Sequence, residues 1–239
     1  MKRALVTGGS GGIGAAISRR LAADGYYVYI HANQNIAAAQ QLVAEISATG
    51  GSAEALQFDV TDSAAVAAAL NPLVENEPIQ ILVNNAGIHD DAVFPGMRPD
   101  QWHRVIDVSV NGFFNVTQPL MMPMIRSRWG RIVNVSSVAA ITGNRGQTNY
   151  AAAKGALNSA TKSLSQEIAS RGITVNAVAP GIIETSMSES AFDAKAIANI
   201  VPMKRAGTPT EVADLVSFLV SDQATYITGQ IISINGGMI

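Results

Sequence analysis

Residues 7–14 read Thr-Gly-Gly-Ser-Gly-Gly-Ile-Gly and stand directly behind a short apolar run. Glycines let a backbone approach a pyrophosphate closely, and a helix that starts there offers free amide donors and positive potential. The spacing of Gly8, Gly12 and Gly14 is Gly-x-x-x-Gly-x-Gly, without the lysine of a nucleoside triphosphate loop, which favours a dinucleotide over ATP. A plain tight turn is the alternative, but such a turn does not need a run this costly in conformational entropy. The candidate contacts in the loop are Gly8, Ser10, Gly12, Ile13 and Gly14. An NAD site typically carries Asp or Glu at the end of the next strand, to hold the ribose 2'-hydroxyl. This chain has His31, Ala32 and Asn33 there. An acid would repel a 2'-phosphate, so its absence leans toward NADP(H) over NAD(H). With no arginine in the loop, the phosphate is left to Ser10, His31, Asn33 or backbone amides.

Tyr150 and Lys154 are four residues apart, one turn from each other on a helix face. Chance supplies such a pair too easily for it to stand alone. Ser137 strengthens it, because it follows an apolar run whose end would face a cofactor crevice. Asn111 is a further polar group among apolar neighbours, open either to a role beside these residues or to a buried amide that satisfies backbone groups.

The elements that must position these groups alternate. Short β-branched runs at 3–7, 26–31, 53–59, 79–84, 131–135, 173–179 and 230–235 are separated mainly by segments with helical spacing at 12–23, 36–49, 63–75, 99–128, 149–170 and 210–220. The helix over 99–128 is expected to break at Pro119 and Pro123. The pattern implies an α/β, doubly wound, mostly parallel seven-stranded sheet with helices on both faces, in one dinucleotide-binding catalytic domain over 1–239. Residues 182–205 are the least regular and are expected to form a mobile substrate loop.

Composition narrows the function. The formal net charge is −2, which offers no global positive field for nucleic acid. There is no cysteine, so thiolate metal sites and disulfides are impossible, and no metal site is expected. Neither a secretory leader nor an apolar span of membrane length is legible, so no membrane contact and a cytoplasmic location are expected. Charged residues make up 14%, which points to surface buried between subunits.

Taken together, the 7–14 loop, Asp59-Val60, Asn84-Asn85-Ala86-Gly87, Asn111, Ser137, Tyr150 with Lys154, and Pro180 through Thr185 resemble the short-chain dehydrogenase/reductase family along essentially the whole chain. The resemblance implies a Rossmann fold and a redox site. Hydride would pass from the nicotinamide to a carbonyl carbon while Tyr150 protonates the oxygen. Lys154 would lower the phenol's pKa and bind the nicotinamide ribose, Ser137 would hydrogen-bond the carbonyl oxygen, and Asn111 would hold a relay water. Asp59 and Val60 would meet the adenine, Asn85, Ala86 and Gly87 would line the cofactor, and Pro180, Gly181, Ile183 and Thr185 would meet the nicotinamide.

Within that family, segments 149–154, 170–176, 226–229 and 235–238 most resemble the 3-oxoacyl-acyl-carrier-protein reductases. This implies NADPH-dependent reduction of a 3-oxoacyl thioester on acyl carrier protein, in fatty acid synthesis or a related polyene or polyketide-like pathway. Arg128 and Arg171 would dock the acidic carrier protein, although complementing helix dipoles explains the arginines at 126, 128, 131 and 171 equally well. Gln147, three residues from Tyr150, is the first choice for a substrate contact, ahead of His89, Asp90, Asp91 and Arg145. A homotetramer is expected by analogy. The alternatives are a dehydrogenase of a small alcohol, sugar or steroid, and a non-catalytic cofactor-binding regulator.

Overall fold

The computed structural model describes residues 1–75, 77–185 and 194–239. Seven strands, β1 (Arg3–Val6), β2 (Tyr27–Ala32), β3 (Ser52–Gln57), β4 (Ile81–Asn84), β5 (Gly130–Val135), β6 (Ile173–Pro180) and β7 (Ile231–Ile234), form one sheet in the order β3-β2-β1-β4-β5-β6-β7. Every ladder is parallel. The order reverses between β1 and β4, and that switch point opens a crevice at the carboxyl edge of the sheet.

The helices are α1 (Gly12–Ala23), α2 (Ile36–Ala48), α3 (Ser63–Val74), α4 (Pro99–Ile106), α5 (Gly112–Ser127), α6 (Ala139–Thr142), α7 (Thr148–Ile168), α8 (Ala194–Ile200) and α9 (Pro209–Val220). Strand alternation divides the core between the two faces. Val6, Val83 and Val133 meet α1, α2 and α9, whereas Leu5, Leu82 and Ile132 meet α3, α5 and α7. Both faces are covered, which is why the central strands β4, β5 and β6 are buried along their whole length.

Helix α7 is fixed to the sheet by a buried polar chain. Asn84 donates to Thr117 Oγ1 on α5 at 3.1 Å and to Asn134 Oδ1 on β5 at 2.9 Å, and Asn134 donates to Thr161 Oγ1 on α7 at 2.8 Å. Each amide here has a partner, so the chain sets helix position without the cost of an unmade buried hydrogen bond.

Three local expectations are corrected. Pro119 and Pro123 lie inside a continuous α5. The 99–127 segment is helical throughout and instead carries a π-helical turn, Asp107–Asn111, where one wide turn shifts the helical phase. The stretch expected to be irregular contains α8, and its start is pinned: Ile183 bridges Gly207, with Gly207 N donating to Ile182 O and Glu184 N to Gly207 O, both at 2.9 Å. Residues 186–193 of the expected substrate loop lie outside the described residues. Among the described residues no helix is long and apolar enough to cross a membrane.

Candidate active site

The glycine loop leaves the end of β1 and enters α1, whose first internal bond runs from Ala15 N to Gly11 O. The amides of Gly12, Ile13 and Gly14 precede that bond and point out of the helix start, as an anion cradle requires. Gly14 has no room for a side chain, since a Cβ there would lie 2.1 Å from the Gly8 carbonyl oxygen and 2.6 Å from Asn85 Nδ2. Gly8 and Gly12 take left-handed backbones with φ of 59° and 50°.

The strand ends brace the loop. Thr7 Oγ1 accepts the amides of Asn85 and Ala86 at 3.0 and 2.9 Å, and Asn85 Nδ2 donates back to the Thr7 and Gly8 carbonyls. Ser18 Oγ donates to the carbonyls of Gly9 and Gly14. Thr185 comes from the far side of the crevice and sets its methyl 3.5 Å from the place a Gly12 side chain would take. A shaped cradle with free amides fits a dinucleotide pyrophosphate.

Sequence reasoning missed Thr7 and Ser18. Their signal was a hydroxyl directly before Gly8 and another one helical turn after Gly14.

At the end of β2, Asn33 is exposed, but His31 is not available to a 2'-phosphate. It is 1% exposed, and both ring nitrogens are engaged with backbone groups, Nδ1 with the Gly8 amide and Nε2 with the Phe58 carbonyl. The reason is coverage: β2 is buried on both faces, and His31 shares the face of buried Tyr29 and packs against Phe58. Asp59 is turned back on Thr61, whose amide and hydroxyl it accepts at 2.8 Å. Val60 is buried against Gly112, where a Cβ would lie 2.8 Å from Val60 Cγ2.

The redox side of the crevice lies at the end of β5 and the start of α7. Ser137, Tyr150 and Lys154 are brought together there. Lys154 is 3% exposed, and its Nζ donates to the Val135 carbonyl at 2.8 Å and lies 5.8 Å from the Tyr150 ring centroid. Gly87 makes space for it, because a Cβ there would lie 3.0 Å from Nζ. Burial alone lowers the Lys154 pKa from its ordinary 10.5 to about 8. Burial also raises the Tyr150 phenol above its ordinary value; the Ser137 hydroxyl opposes this, and the Asp91 carboxylate adds to it. The phenol therefore holds its proton at neutral pH until something stabilises the phenolate.

Asn149 buries its amide beneath this helix start, donating to the carbonyls of Asp90 and Gln101 and accepting the Tyr150 amide. Gln147 donates to Asp91 at 2.9 Å, and His89 Nδ1 lies 3.0 Å from the other Asp91 oxygen, so Gln147 borders the site as part of a network. Arg145 is exposed nearby.

Asn111 lies at the end of the π-helical turn. Its side chain is exposed and donates to Asp107 Oδ1 at 2.8 Å. The buried polar group on this turn is Ser109, whose hydroxyl has no hydrogen-bond partner among the described residues. It lines a cavity of about 10 Å³ together with Thr7, Asn84, Ala86 and Leu157. Val105, Ser109, Gly112 and Val116 are the buried positions, and Asn111 falls off that stripe.

Arg128 and Arg171 are both exposed and are brought together, because Gly172 lies so close to the Arg128 carbonyl that a Cβ would come within 2.4 Å of its oxygen. The pair sits where β5 and β6 begin, on the sheet edge opposite Tyr150. Tyr150 is near the start of α7 and the pair lies beyond its end, so about 27 Å of helix separates them. Arg131 does not join them: it is buried, stacked 4.3 Å from the Trp129 ring and 3.7 Å from Asp222.

A family model described as short chain dehydrogenase matches residues 2–196. The chain is 44% identical over 238 residues to a 3-oxoacyl-[acyl-carrier-protein] reductase of Synechocystis sp., covering 99% of this chain and 96% of the relative. It is 42% identical over 236 residues to the enzyme of that name from Aggregatibacter actinomycetemcomitans, covering 98% of each. It is also 43% identical over 240 residues to a nodulation protein G of Rhizobium sp., covering 99% of this chain and 96% of the relative.

Proposed function

The chain belongs to the short chain dehydrogenase family, and from that premise we propose that it reduces a 3-oxoacyl thioester on acyl carrier protein to the 3-hydroxyacyl thioester. It is an oxidoreductase of the carbonyl/secondary-alcohol class that takes a nicotinamide cofactor. The observation that carries the reading is the convergence of Ser137, Tyr150 and Lys154 at the end of β5, facing the same crevice as the glycine cradle.

The bound nicotinamide supplies the hydride that reduces the carbonyl carbon. Tyr150 gives its proton to the carbonyl oxygen as negative charge develops there, and Ser137 donates a hydrogen bond to the same oxygen. Lys154 stabilises the phenolate left behind, with a charge that the Val135 carbonyl holds in place. The glycine-loop amides and Lys154 would hold the cofactor's phosphates and ribose, and Ile183, Thr185 and the 85–87 turn would line it.

NADPH is the proposed donor. The end of β2 offers no carboxylate, and Asn33 and Gln34 stand exposed there for a 2'-phosphate. A homotetramer is part of the proposal, since α5 leaves Phe114 and Met122 largely exposed. The Arg128–Arg171 pair is the proposed dock for the acidic carrier protein.

The test follows nicotinamide absorbance with NADPH and, separately, NADH, using an acetoacetyl thioester on carrier protein and on a short pantetheine mimic. Faster NADPH turnover on the carrier-bound substrate supports the proposal. Turnover with small ketones alone moves the chain to small-molecule dehydrogenation, and cofactor binding without turnover makes it a non-catalytic binder.

A further inference from the structure

The glycine loop hangs on a side chain that the reduction does not use. His31 Nδ1 lies 3.0 Å from the Gly8 amide, and Nε2 lies 2.8 Å from the Phe58 carbonyl. An amide can only donate and a carbonyl can only accept, so the ring is the neutral Nε2–H tautomer, with its Nδ1 lone pair turned to Gly8. The Phe58 ring lies against it with centroids 4.1 Å apart. The Gly9 amide donates to the His31 backbone carbonyl at 2.9 Å, so the first two loop glycines are both tied to this residue. Gly8 holds a left-handed backbone at the point where the loop leaves β1, and the tie fixes one conformer of a residue that is otherwise free to leave it.

We propose that His31 is the positioning residue of the dinucleotide loop and that its protonation is a release: the neutral ring fastens Gly8 to the end of β3, and the imidazolium lets it go and weakens cofactor binding. A protonated Nδ1 carries a hydrogen of its own and meets the Gly8 N–H hydrogen to hydrogen. Burial holds the pKa of His31 below its ordinary 6.5, opposed by the Phe58 carbonyl and the Asp59 carboxylate. Asp59 is the charged group that acts on the ring, and its Oδ1 is already taken by Thr61. Acid therefore acts below the ordinary histidine range, and neutral pH keeps the loop latched. The inference rests on the reading of the loop as a nicotinamide dinucleotide site and adds the group that sets its pH range.

The chain has three histidines, so ¹⁵N labelling can follow His31 alone. The free protein should show the Nε2–H tautomer. Linkage is reciprocal: if protonation weakens NADPH binding, saturating NADPH must lower the His31 pKa further, by about half a unit or more. In parallel, NADPH affinity is measured by fluorescence for the wild type and for His31→Gln, whose amide presents a carbonyl and an NH₂ without titrating. The wild-type Kd should rise relative to that of the variant as the pH falls below the ordinary histidine range, approaching about threefold for a half-unit shift once the ring is protonated; the ligand's own phosphate titrates in both and cancels.

A His31 pKa unmoved by NADPH, or an Nδ1–H tautomer, overturns the proposal. Should His31→Gln not fold, the labelled wild type decides by itself. If NADPH does not bind the wild type at all, the reading of the loop fails and this inference with it, whereas binding without linkage sinks this inference alone.

Discussion

The Lys154 ammonium donates to the Val135 carbonyl at 2.8 Å, and the next residue, Ser136, holds the Lys154 carbonyl through its hydroxyl at 3.3 Å. One buried charge is thus clamped to the carboxyl end of β5 from both its head and its backbone. This clamp sets the position of Tyr150, one turn earlier on α7.

A charge buried in this way leaves a signature in pH. The Lys154 pKa is about 8 in the folded chain and an ordinary 10.5 unfolded, so between those values the unfolded chain binds more protons and stability rises with pH. The wild type should gain up to about 3 kcal/mol relative to Lys154→Met across that window in denaturant titrations. Over the same range kcat/KM should fall from about pH 8 upward, as the lysine of the free enzyme loses its charge. Parallel stability profiles for the two proteins would show that the lysine is not held charged at a cost.

Ser109 and Asn111 separate two uses of the π-turn. The buried hydroxyl of Ser109 faces a cavity of about 10 Å³, roughly the room one water needs, and lies on the α7 side of the turn. Proton supply to the site through this turn would use Ser109. Ser109→Ala should lower kcat about tenfold or more with its melting temperature nearly unchanged, and Asn111→Ala should stay within about threefold of wild type. The reverse ranking in steady-state kinetics would return the role to Asn111.

The Arg128–Arg171 pair predicts a substrate-selective defect. Arg128→Glu with Arg171→Glu should raise the apparent KM for a carrier-bound thioester about tenfold or more and leave a pantetheine-borne or small ketone substrate unaffected. Equal losses on both substrates would show that the two arginines serve folding or assembly.

The order of strands and helices was legible because β-branched runs and glycine stops carry it, and α1 was placed to the residue by the loop that opens it. Ser137, Tyr150 and Lys154 were legible through their types and their position at an element end. The π-turn was not, since a wide turn arises from packing and leaves no residue signature, whereas the prolines at 119 and 123 were read as breaks that α5 absorbs. Asn111 was left open between a role at the site and a buried amide, and the structure sets its side chain on the exposed side of the π-turn. The helical spacing of Val105, Ser109, Gly112 and Val116 carries the correct answer. His31 was read as a ligand contact from its place at a strand end, yet β2 is buried on both faces there, and its partners at Gly8 and Phe58 are joined to it only by the sheet.

The most direct test of the proposed chemistry is Tyr150→Phe, assayed for NADPH oxidation with acetoacetyl-carrier protein and for NADPH binding by fluorescence. With folding intact, turnover should fall by at least about 100-fold while the NADPH Kd stays within about threefold, because the phenol hydroxyl gives the proton and the cradle holds the cofactor without it. Near-normal turnover in that variant would contradict the assignment of Tyr150 as the proton donor, and with it the reading of this crevice as the site of reduction.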